Sequence, residues 1–565
     1  MTRYIRSDEI AYQKPSEHDY LVTYNELLSE ILVNNSSSLA ALASATINRL
    51  EAQTHFFEKI EKYIQIHKLL SDNSNISVML IDNDRFCSSF LKKEFKGRVV
   101  CQNYVSLKDN PVVGLVWFFR LWISSLLKTL FLTSHLRITK RKLSTSYESI
   151  MRTWFDFRCQ DIKGNLREEY FGPFIDDLAR KSKTLVVFKL LHFRDFRLYL
   201  KLSRHASFDS CLIESFLTPW TVLISYGSYL FVTLFNQIKL DNKIYYKDVN
   251  ITPLLKKSVR QDFLFLRGLG VYIEHEAAKH IFKKNPERLY FPYENQTWEK
   301  VYPLVRKRHS NIKTKIIGFQ HTGLSYKLLN YFPAKNDREL PYFPDTILTV
   351  GKITKKILEE KAFYSSKIIE GAALRHMKHL KNGEFLIKSP QPTINKKIVY
   401  AFSYDYLKYK NILSLLIAIF QNTSITVYLK IHPDYQEDEI INSLRITLPA
   451  NFVLAQHIPW NNIYASVDLV LYDDNSIGIE GIINGVKTYM LDAAEPIYDC
   501  NRMYYFPDLW DTSVDEQALK RIREMLEDNT FNKIYDVNQA KEYIYRYYNI
   551  YNPKIFTAYF DKVQI

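Results

Sequence analysis

Four short polar segments each follow an apolar run, and each carries side chains that handle protons or phosphate. In FPYENQTWEK, Phe291 to Lys300, Glu294 stands where the run ends and can act as a base or bind an acceptor hydroxyl; the other reading is a helix-capping segment. In GFQHTG, Gly318 to Gly323, Gln320 and His321 close a run, and Gly323 permits the tight turn that aims the imidazole into a cleft. LKIHPD, Leu429 to Asp434, offers Lys430 and His432 to a phosphate, with Pro433 fixing the turn behind them. In LYDDNSIGIEGIINGVKTYML, Leu471 to Leu491, Ser476 and the N–H groups near Ile477 and Gly478 open a helix whose positive end suits a phosphate. Glu480, further along that helix, can hold a ribose or sugar hydroxyl.

These segments need a scaffold that brings strand ends together. RLYFPYE (288–294), TKIIGFQH (314–321), DTILTVG (345–351), SKIIEGA (366–372), KKIVYAFS (396–403), ITVYLKIHP (425–433), FVLAQH (452–457) and DLVLYDD (468–474) read as strands. Helical runs lie between most of them, a pattern that implies parallel α/β construction. Earlier, ISVMLID (76–82), RVVCQ (98–102) and TLVVFKLL (184–191) continue the same alternation. The polar, proline-bearing stretch from Asn382 to Asn395 interrupts it and is the expected interdomain linker. The expected organisation is therefore a helical region over 1–75, a Rossmann-like domain with helical insertions over 76–389, a second Rossmann-like domain over 390–510, and helices over 511–565 that pack back on the first domain. Within 24–70, Ile47, Leu50, Phe57, Ile60 and Ile64 recur at helical spacing and point to a helical hairpin or an oligomerisation element. Ligands of such sheets bind beyond the carboxyl ends of the strands, where the four polar segments fall.

Composition narrows the partners. The 76 Lys and Arg against 61 Asp and Glu leave +15, which favours an anionic partner such as nucleic acid, phospholipid headgroups or a nucleotide. The basic residues are dispersed without a recognition-helix or RNP-type pattern, so nucleic acid is not expected. Cys87, Cys101, Cys159, Cys211 and Cys500 are scattered, with no CxxC pair for zinc and an odd count that disfavours a secreted disulfide framework, so the expected home is the cytoplasm. The first residues, MTRYIRSDEI, lack the apolar core of a signal peptide. From Pro111 to Leu136 runs an apolar stretch interrupted by Arg120 and Lys128 and followed by RITKRK, Arg137 to Lys142. It reads either as a buried helix or as an interfacial helix that uses Trp117, Phe118 and Trp122 to rest on anionic lipid at the inner face of the cytoplasmic membrane. A second stretch, Leu212 to Phe235, contains Glu214 and Pro219 and reads as core.

Taken in order, the QH(x)G turn, the PD strand of residues 344–351, the K-x-H-P turn and the S-x-G-x-E helix resemble GT-B enzymes of surface carbohydrate assembly. These include HP-motif β-Kdo and sialyl transferases, CDP-glycerol glycerophosphotransferases and the related UDP-N-acetylglucosamine 2-epimerase fold. The likeness covers roughly residues 285 to 495, and DIKGNLREEYFGPFIDDL, Asp161 to Leu178, is similar to a YFGP-type segment of surface carbohydrate biosynthesis proteins. The resemblance implies a two-domain GT-B fold with no metal or cofactor and a nucleotide-sugar donor. His432 and Ser476 are implied to hold the nucleotide's phosphate and sugar, joined in the donor site by Gln320, Lys430, Pro433, Gly478 and Glu480. An acceptor hydroxyl, from a surface polysaccharide or a lipid-linked glycan, would attack the anomeric carbon of Kdo or another nonulosonate carried on CMP. Candidates to activate it, as base or nucleophile, are Glu294, His321 and Asp161. Two departures stand out: Asn475 occupies the place of a commonly paired serine, and no Trp precedes the HTG turn. Asp473 and Asp474 precede the phosphate turn and are expected to shape it rather than to hold a metal. The competing readings are glycerol-phosphate transfer from a CDP donor, a sugar 2-epimerase, and a non-catalytic anionic-ligand or membrane-binding scaffold of the same fold.

Overall fold

The computed structural model describes residues 3–7, 10, 13, 15–16, 18–80, 86–101, 111–138, 143–160, 164–235, 238–309, 311–325, 328–381, 384–385, 387–388, 394–403, 405, 408–432, 435–473, 475–491, 513–532, 536–554 and 556. Asp161, Pro433 and Asp474 lie outside the described residues, as does part of the expected linker.

The main N-terminal sheet is built from β4 (Ser149–Phe155), β5 (Thr184–Leu190) and β6 (Asp209–Leu212), followed, after a short hairpin, by β9 (Arg288–Tyr293), β10 (Lys315–Gln320), β11 (Thr346–Thr349) and β12 (Lys367–Glu370). Its strands lie in the order β12-β11-β10-β9-β4-β5-β6 and pair in parallel throughout. The inner strands β4, β5, β9, β10 and β11 are buried on both faces, which is why they read as unbroken apolar runs rather than alternating ones. The C-terminal sheet comprises β15 (Lys397–Ala401), β16 (Thr426–Lys430), β17 (Phe452–Leu454), β18 (Leu469–Tyr472), β19 (Lys487–Leu491) and β20 (Ser513–Val514), in the order β17-β16-β15-β18-β19-β20, again parallel. The fold is thus α/β with two Rossmann-like sheets, a GT-B-like plan. In each sheet the strand order reverses once, between β4 and β9 and between β15 and β18, and such reversals open crevices at the carboxyl ends.

Three regions differ from the sequence-based expectation. The helical region also supplies β1 (Arg3–Arg6), which pairs with β2 (Ile76–Leu80), itself paired with β3 (Val99–Cys101), so residues 76–80 and 99–101 belong to a separate small sheet rather than to the main one. The helix Phe56–Asp72 is no free oligomerisation element: Phe56, Phe57, Ile60 and Ile64 are sealed in the main core, and nearby Arg49 pairs with buried Asp337. The helix Pro219–Phe235 is core on one side only. Val222, Ser225, Tyr226, Tyr229 and Val232 face inward while Trp220, Leu223, Phe231 and Phe235 stand in the open. In the longer helix Pro111–Ile138, Phe118 is fully buried, whereas Trp117 is exposed.

At the C-terminal end two helices part company. Glu516–Glu527, capped by the Asp515 carboxylate accepting from the Ala518 N–H, sets Leu519, Ile522 and Leu526 into the core of the C-terminal sheet. Val537–Tyr547 buries Tyr543, Ile544 and Tyr547 in the core of the N-terminal half. Gly351 makes this docking possible, since a Cβ there would lie 2.4 Å from the Tyr547 carbonyl oxygen.

Candidate functional site

The N-terminal crevice opens beside β4, β9 and β10. Directly after β9, Glu299 accepts hydrogen bonds from the N–H groups of Glu294 (3.0 Å) and Gln296 (3.1 Å), with Asn295 between them in the left-handed region at φ 55°. The turn is tied a second time by the Asn295 amide donating to the Asn330 carbonyl at 2.6 Å, while the Asn330 amide donates to the Glu294 carbonyl. Capping of this segment therefore falls to Glu299, whose carboxyl burial and the Glu294 charge push well above the usual range. The Glu294 side chain is left to face the crevice.

There it meets His321, which follows β10. Glu294 Oε1 lies 3.3 Å from His321 Nε2, and Gln296 donates its side-chain amide to Oε2. Burial, and after it the positive field of Arg375, holds the imidazole down to about 3, so it is neutral at ordinary pH. Glu294 is 24% exposed against 10% for His321, so the carboxylate is the more accessible partner and the ring its support. Tyr170 sets its ring edge-on against His321 at 4.9 Å, and the Arg375 guanidinium lies 5.5 Å above the Tyr170 ring. On the β4 side, Arg158 pairs with Asp156, its Nε donating at 2.9 Å to Oδ2.

Tyr170 reaches this place through the YFGP segment. Glu168 anchors it, accepting from the Thr153 hydroxyl at 2.5 Å and from the Phe171 N–H, with burial raising its carboxyl to about 7. Gly172 adopts φ +49°, and a Cβ there would sit 2.6 Å from the Leu374 carbonyl; Pro173 then opens the helix Pro173–Lys181. Sequence reasoning quoted this segment but drew only Asp161 from it, which lies outside the described residues. Tyr170, Arg158 and Arg375 were missed. The YFGP turn was the available signal for the first of them.

Gln320 differs from its expected role. Its amide donates to the Thr322 carbonyl and accepts from the Val350 N–H at 3.0 Å, so this buried side chain ties the end of β10 to the end of β11 instead of facing a donor.

In the C-terminal crevice the polar groups are largely turned on one another. Ser403, after β15, donates to buried Asp473, after β18, at 2.7 Å, and the Tyr409 hydroxyl donates to the Ser403 carbonyl at 2.6 Å. Asn475 donates to the Ala401 carbonyl at 2.9 Å and accepts from the Ile477 N–H at 3.0 Å. One of the N–H groups expected to meet a phosphate is therefore already taken. Ser476, half-buried beside it, makes no capping bond with its hydroxyl. Gly478 is required by packing, since a Cβ would come within 2.4 Å of the Tyr472 ring.

Lys430 also departs from expectation. Its ammonium donates to the carbonyls of Ala455 (2.8 Å), Gln456 (2.9 Å) and Ile458 (2.5 Å), which uses all three of its donors. It is 9% exposed, and burial holds it down to about 8. Such a group braces the loop after β17 and has no proton left for a phosphate. His432, two residues on, is half-buried, accepts the Tyr435 N–H on its carbonyl at 3.0 Å, and sets its ring 6.3 Å from that of Tyr435.

The two crevices meet at one turn. Arg375 lies over Tyr170, and the next residue, His376, has its Nδ1 4.0 Å from Glu480 Oε1 on the helix Ile477–Ile483. His376 is held from behind, stacked on Tyr548 at 4.5 Å with the Tyr548 hydroxyl 3.1 Å from Nε2.

No protein-family model matches the chain, and no curated protein does. Solved structures similar to it include the calicheamicin glycosyltransferase CalG4, at 11% identity and a TM-score of 0.40 over 74% of this chain and 99% of that one. The UDP complex of S. aureus MnaA is similar at 11% identity and a TM-score of 0.40 over 74% and 98%. UDP-GlcNAc 2-epimerase from Neisseria meningitidis, bound to UDP-GlcNAc, is similar at 13% identity and a TM-score of 0.38 over 73% and 100%.

Proposed function

We propose that the chain is a nucleotide-sugar-dependent glycosyltransferase, with the acceptor activated in the N-terminal crevice and the donor nucleotide held in the C-terminal one. The observation that carries this reading is the Glu294–His321 pair at a strand-order reversal, linked through adjacent Arg375 and His376 to Glu480 at the other reversal. Glu294, with Gln296 donating to one carboxylate oxygen and His321 beside the other, takes the proton of the acceptor hydroxyl. The hydroxyl oxygen bonds to the anomeric carbon as the bond from that carbon to the nucleotide phosphate breaks, and the phosphate departs with the electron pair. His321 is a positioning residue that keeps Glu294 aimed. The Ser476 hydroxyl and the His432 imidazole hold the departing phosphate, and Glu480 a hydroxyl of the donor.

The donor is a CMP-linked sugar of the Kdo or nonulosonate class, and the acceptor a surface polysaccharide or lipid-linked glycan reached at the inner face of the cytoplasmic membrane. Incubating the protein with CMP-Kdo, CMP-sialic acid, UDP-N-acetylglucosamine and CDP-glycerol, and measuring released nucleotide, tests this. CMP release from a CMP-sugar is expected. Release from CDP-glycerol alone moves the assignment to glycerophosphate transfer, and thermal protection by no nucleotide at all removes the enzyme reading.

A further inference from the structure

The proposed transferase reading calls for contact with a membrane, for which the sequence offers the helix of Trp117 and Trp122; the structure adds a second helix and a basic cleft to that surface. The helices Pro111–Ile138 and Pro219–Phe235 lie against each other along their inner faces. Trp122 donates its indole N–H to the Tyr226 carbonyl at 3.3 Å, and the Tyr226 hydroxyl meets Ser125 at 2.7 Å and Thr129 at 2.8 Å. With their polar groups spent on each other, the two helices turn apolar residues outward: Trp117, Leu127 and Phe131 from the first, Trp220, Phe231 and Phe235 from the second. Trp220 and Phe235 are 69% and 65% exposed, an arrangement that costs free energy in water unless the face is covered.

Charge decides what covers it. Neither helix contains an Asp or Glu, whereas the first carries Arg120, Lys128 and Arg137 and runs into the basic sequence ending at Lys142. An apolar face with Trp and Phe and a purely cationic complement matches an anionic bilayer interface. Val113–Ile138 has the length and composition to cross a membrane, but Arg120 and Lys128 fall inside it and Ser125 and Thr129 bond to the second helix, which favours an orientation in the plane of an interface over a crossing one.

At the edge of this face a cleft of about 610 Å³ is lined by Lys128, His192, Phe193, Arg194, Tyr435 and Gln436. Phe193 joins the two features, its ring 6.0 Å from that of Phe131 and 5.9 Å from the Lys128 ammonium. Lys128, His192 and Arg194 form no ion pair with a carboxylate among the described residues; buried Asp195 interacts with His192 and Arg194 and offsets part of their field. The loop 191–194 leaves the carboxyl end of β5, the same edge of the sheet as Glu294 and His321.

We infer that the outer faces of these two helices form one platform that rests on an anionic bilayer, and that the Lys128–His192–Arg194 cleft at its edge seats the phosphate of a lipid in that bilayer. The test needs no donor sugar, so it stands or falls apart from the transferase assignment. The full chain is sedimented with phosphatidylcholine vesicles containing about one third phosphatidylglycerol and with pure phosphatidylcholine vesicles. Salt-sensitive binding to the anionic vesicles is expected, weakened at least about tenfold by Trp220→Ser with Phe235→Ser and about tenfold by Lys128→Ala with Arg194→Ala, the latter with a flatter salt dependence. Unchanged melting temperatures certify the folding of both variants. Wild-type protein that stays in solution with anionic vesicles, or an apolar-face variant that still pellets, overturns the platform; a Lys128/Arg194 variant that binds as wild type overturns the phosphate seat. A dimer that forms without vesicles and dissolves on Trp220→Ser with Phe235→Ser gives the face to a second copy and overturns the membrane assignment.

Discussion

The two crevices use similar residue types to opposite ends. Around β9 and β10, buried Glu299, Gln296 and Asn330 brace the backbone and one carboxylate oxygen, so that Glu294 and His321 are held without being consumed. Around β15 and β18, the most polar-looking residues are consumed: Lys430 by three carbonyls, Asp473 by Ser403, Asn475 by a strand end and a helix start. A lysine in a motif is thus a phosphate ligand only if the fold has not already filled its donors. Proton transfer needs a group fixed to within a few tenths of an ångström, whereas nucleotide holding can be shared among several lightly placed groups.

The contrast breaks most directly at Glu294. Glu294→Gln removes the proton acceptor with little change in shape, and nucleotide release is expected to fall about a hundredfold to ten-thousandfold. Thermal protection by the nucleotide should persist. If turnover survives, the N-terminal crevice is not where the acceptor is activated. Lys430→Met keeps the stem and deletes the ammonium, leaving three buried carbonyls unpaired; we expect a loss of about 3 kcal/mol in denaturant unfolding. A Lys430→Met chain of unchanged stability and lost nucleotide protection would make Lys430 a ligand after all. Ser476→Ala, by contrast, should leave stability unchanged and weaken nucleotide binding by roughly tenfold to a hundredfold in a calorimetric titration. The remaining prediction concerns pH. Burial holds His321 down to about 3 in the folded chain against 6.5 for a free ring, so the unfolded chain takes up the extra proton between those values. Stability contributed by neutral His321 is complete above about 6.5 and falls as pH drops towards 3. His321→Gln should flatten that acid limb in a series of melting curves, and any titration near 6.5 in the wild-type rate profile should survive His321→Gln unchanged.

How much of this was written in the sequence depends on how local each cause is. The eight strand runs of the second half are apolar along their whole length because parallel strands are covered on both faces, and that pattern is visible without coordinates. Strand β1, RYIR, is four residues with two arginines, and its partner begins at Ile76, so nothing local announces it. Leu212–Phe235 reads as core from its Glu214 and Pro219, but a helix apolar on most sides carries little phase, and only the burial of its own Tyr226 and Tyr229 against neighbouring elements decides which side faces out. The positions of Glu294 and His321 at strand ends were legible. That they lie 3.3 Å apart follows from the register of β9 with β10, in which Tyr293 stands opposite Gln320. The bonding of Lys430 was not legible because the carbonyls that accept from it come from residues 455–458, a loop whose course no spacing rule fixes.

The clasp between Gly351 and Tyr547 sets a clock on synthesis. The Tyr547 hydroxyl also accepts the Leu324 N–H at 3.3 Å, anchoring the turn that follows His321 to a helix 223 residues further along the chain. A ribosome adding about 5–20 residues per second needs roughly 10–45 s to cover that distance. Throughout that interval the turn after His321 waits for its anchor. A polypeptide stalled before residue 547 therefore lacks the bond that ties the turn after His321 to the helix Val537–Tyr547.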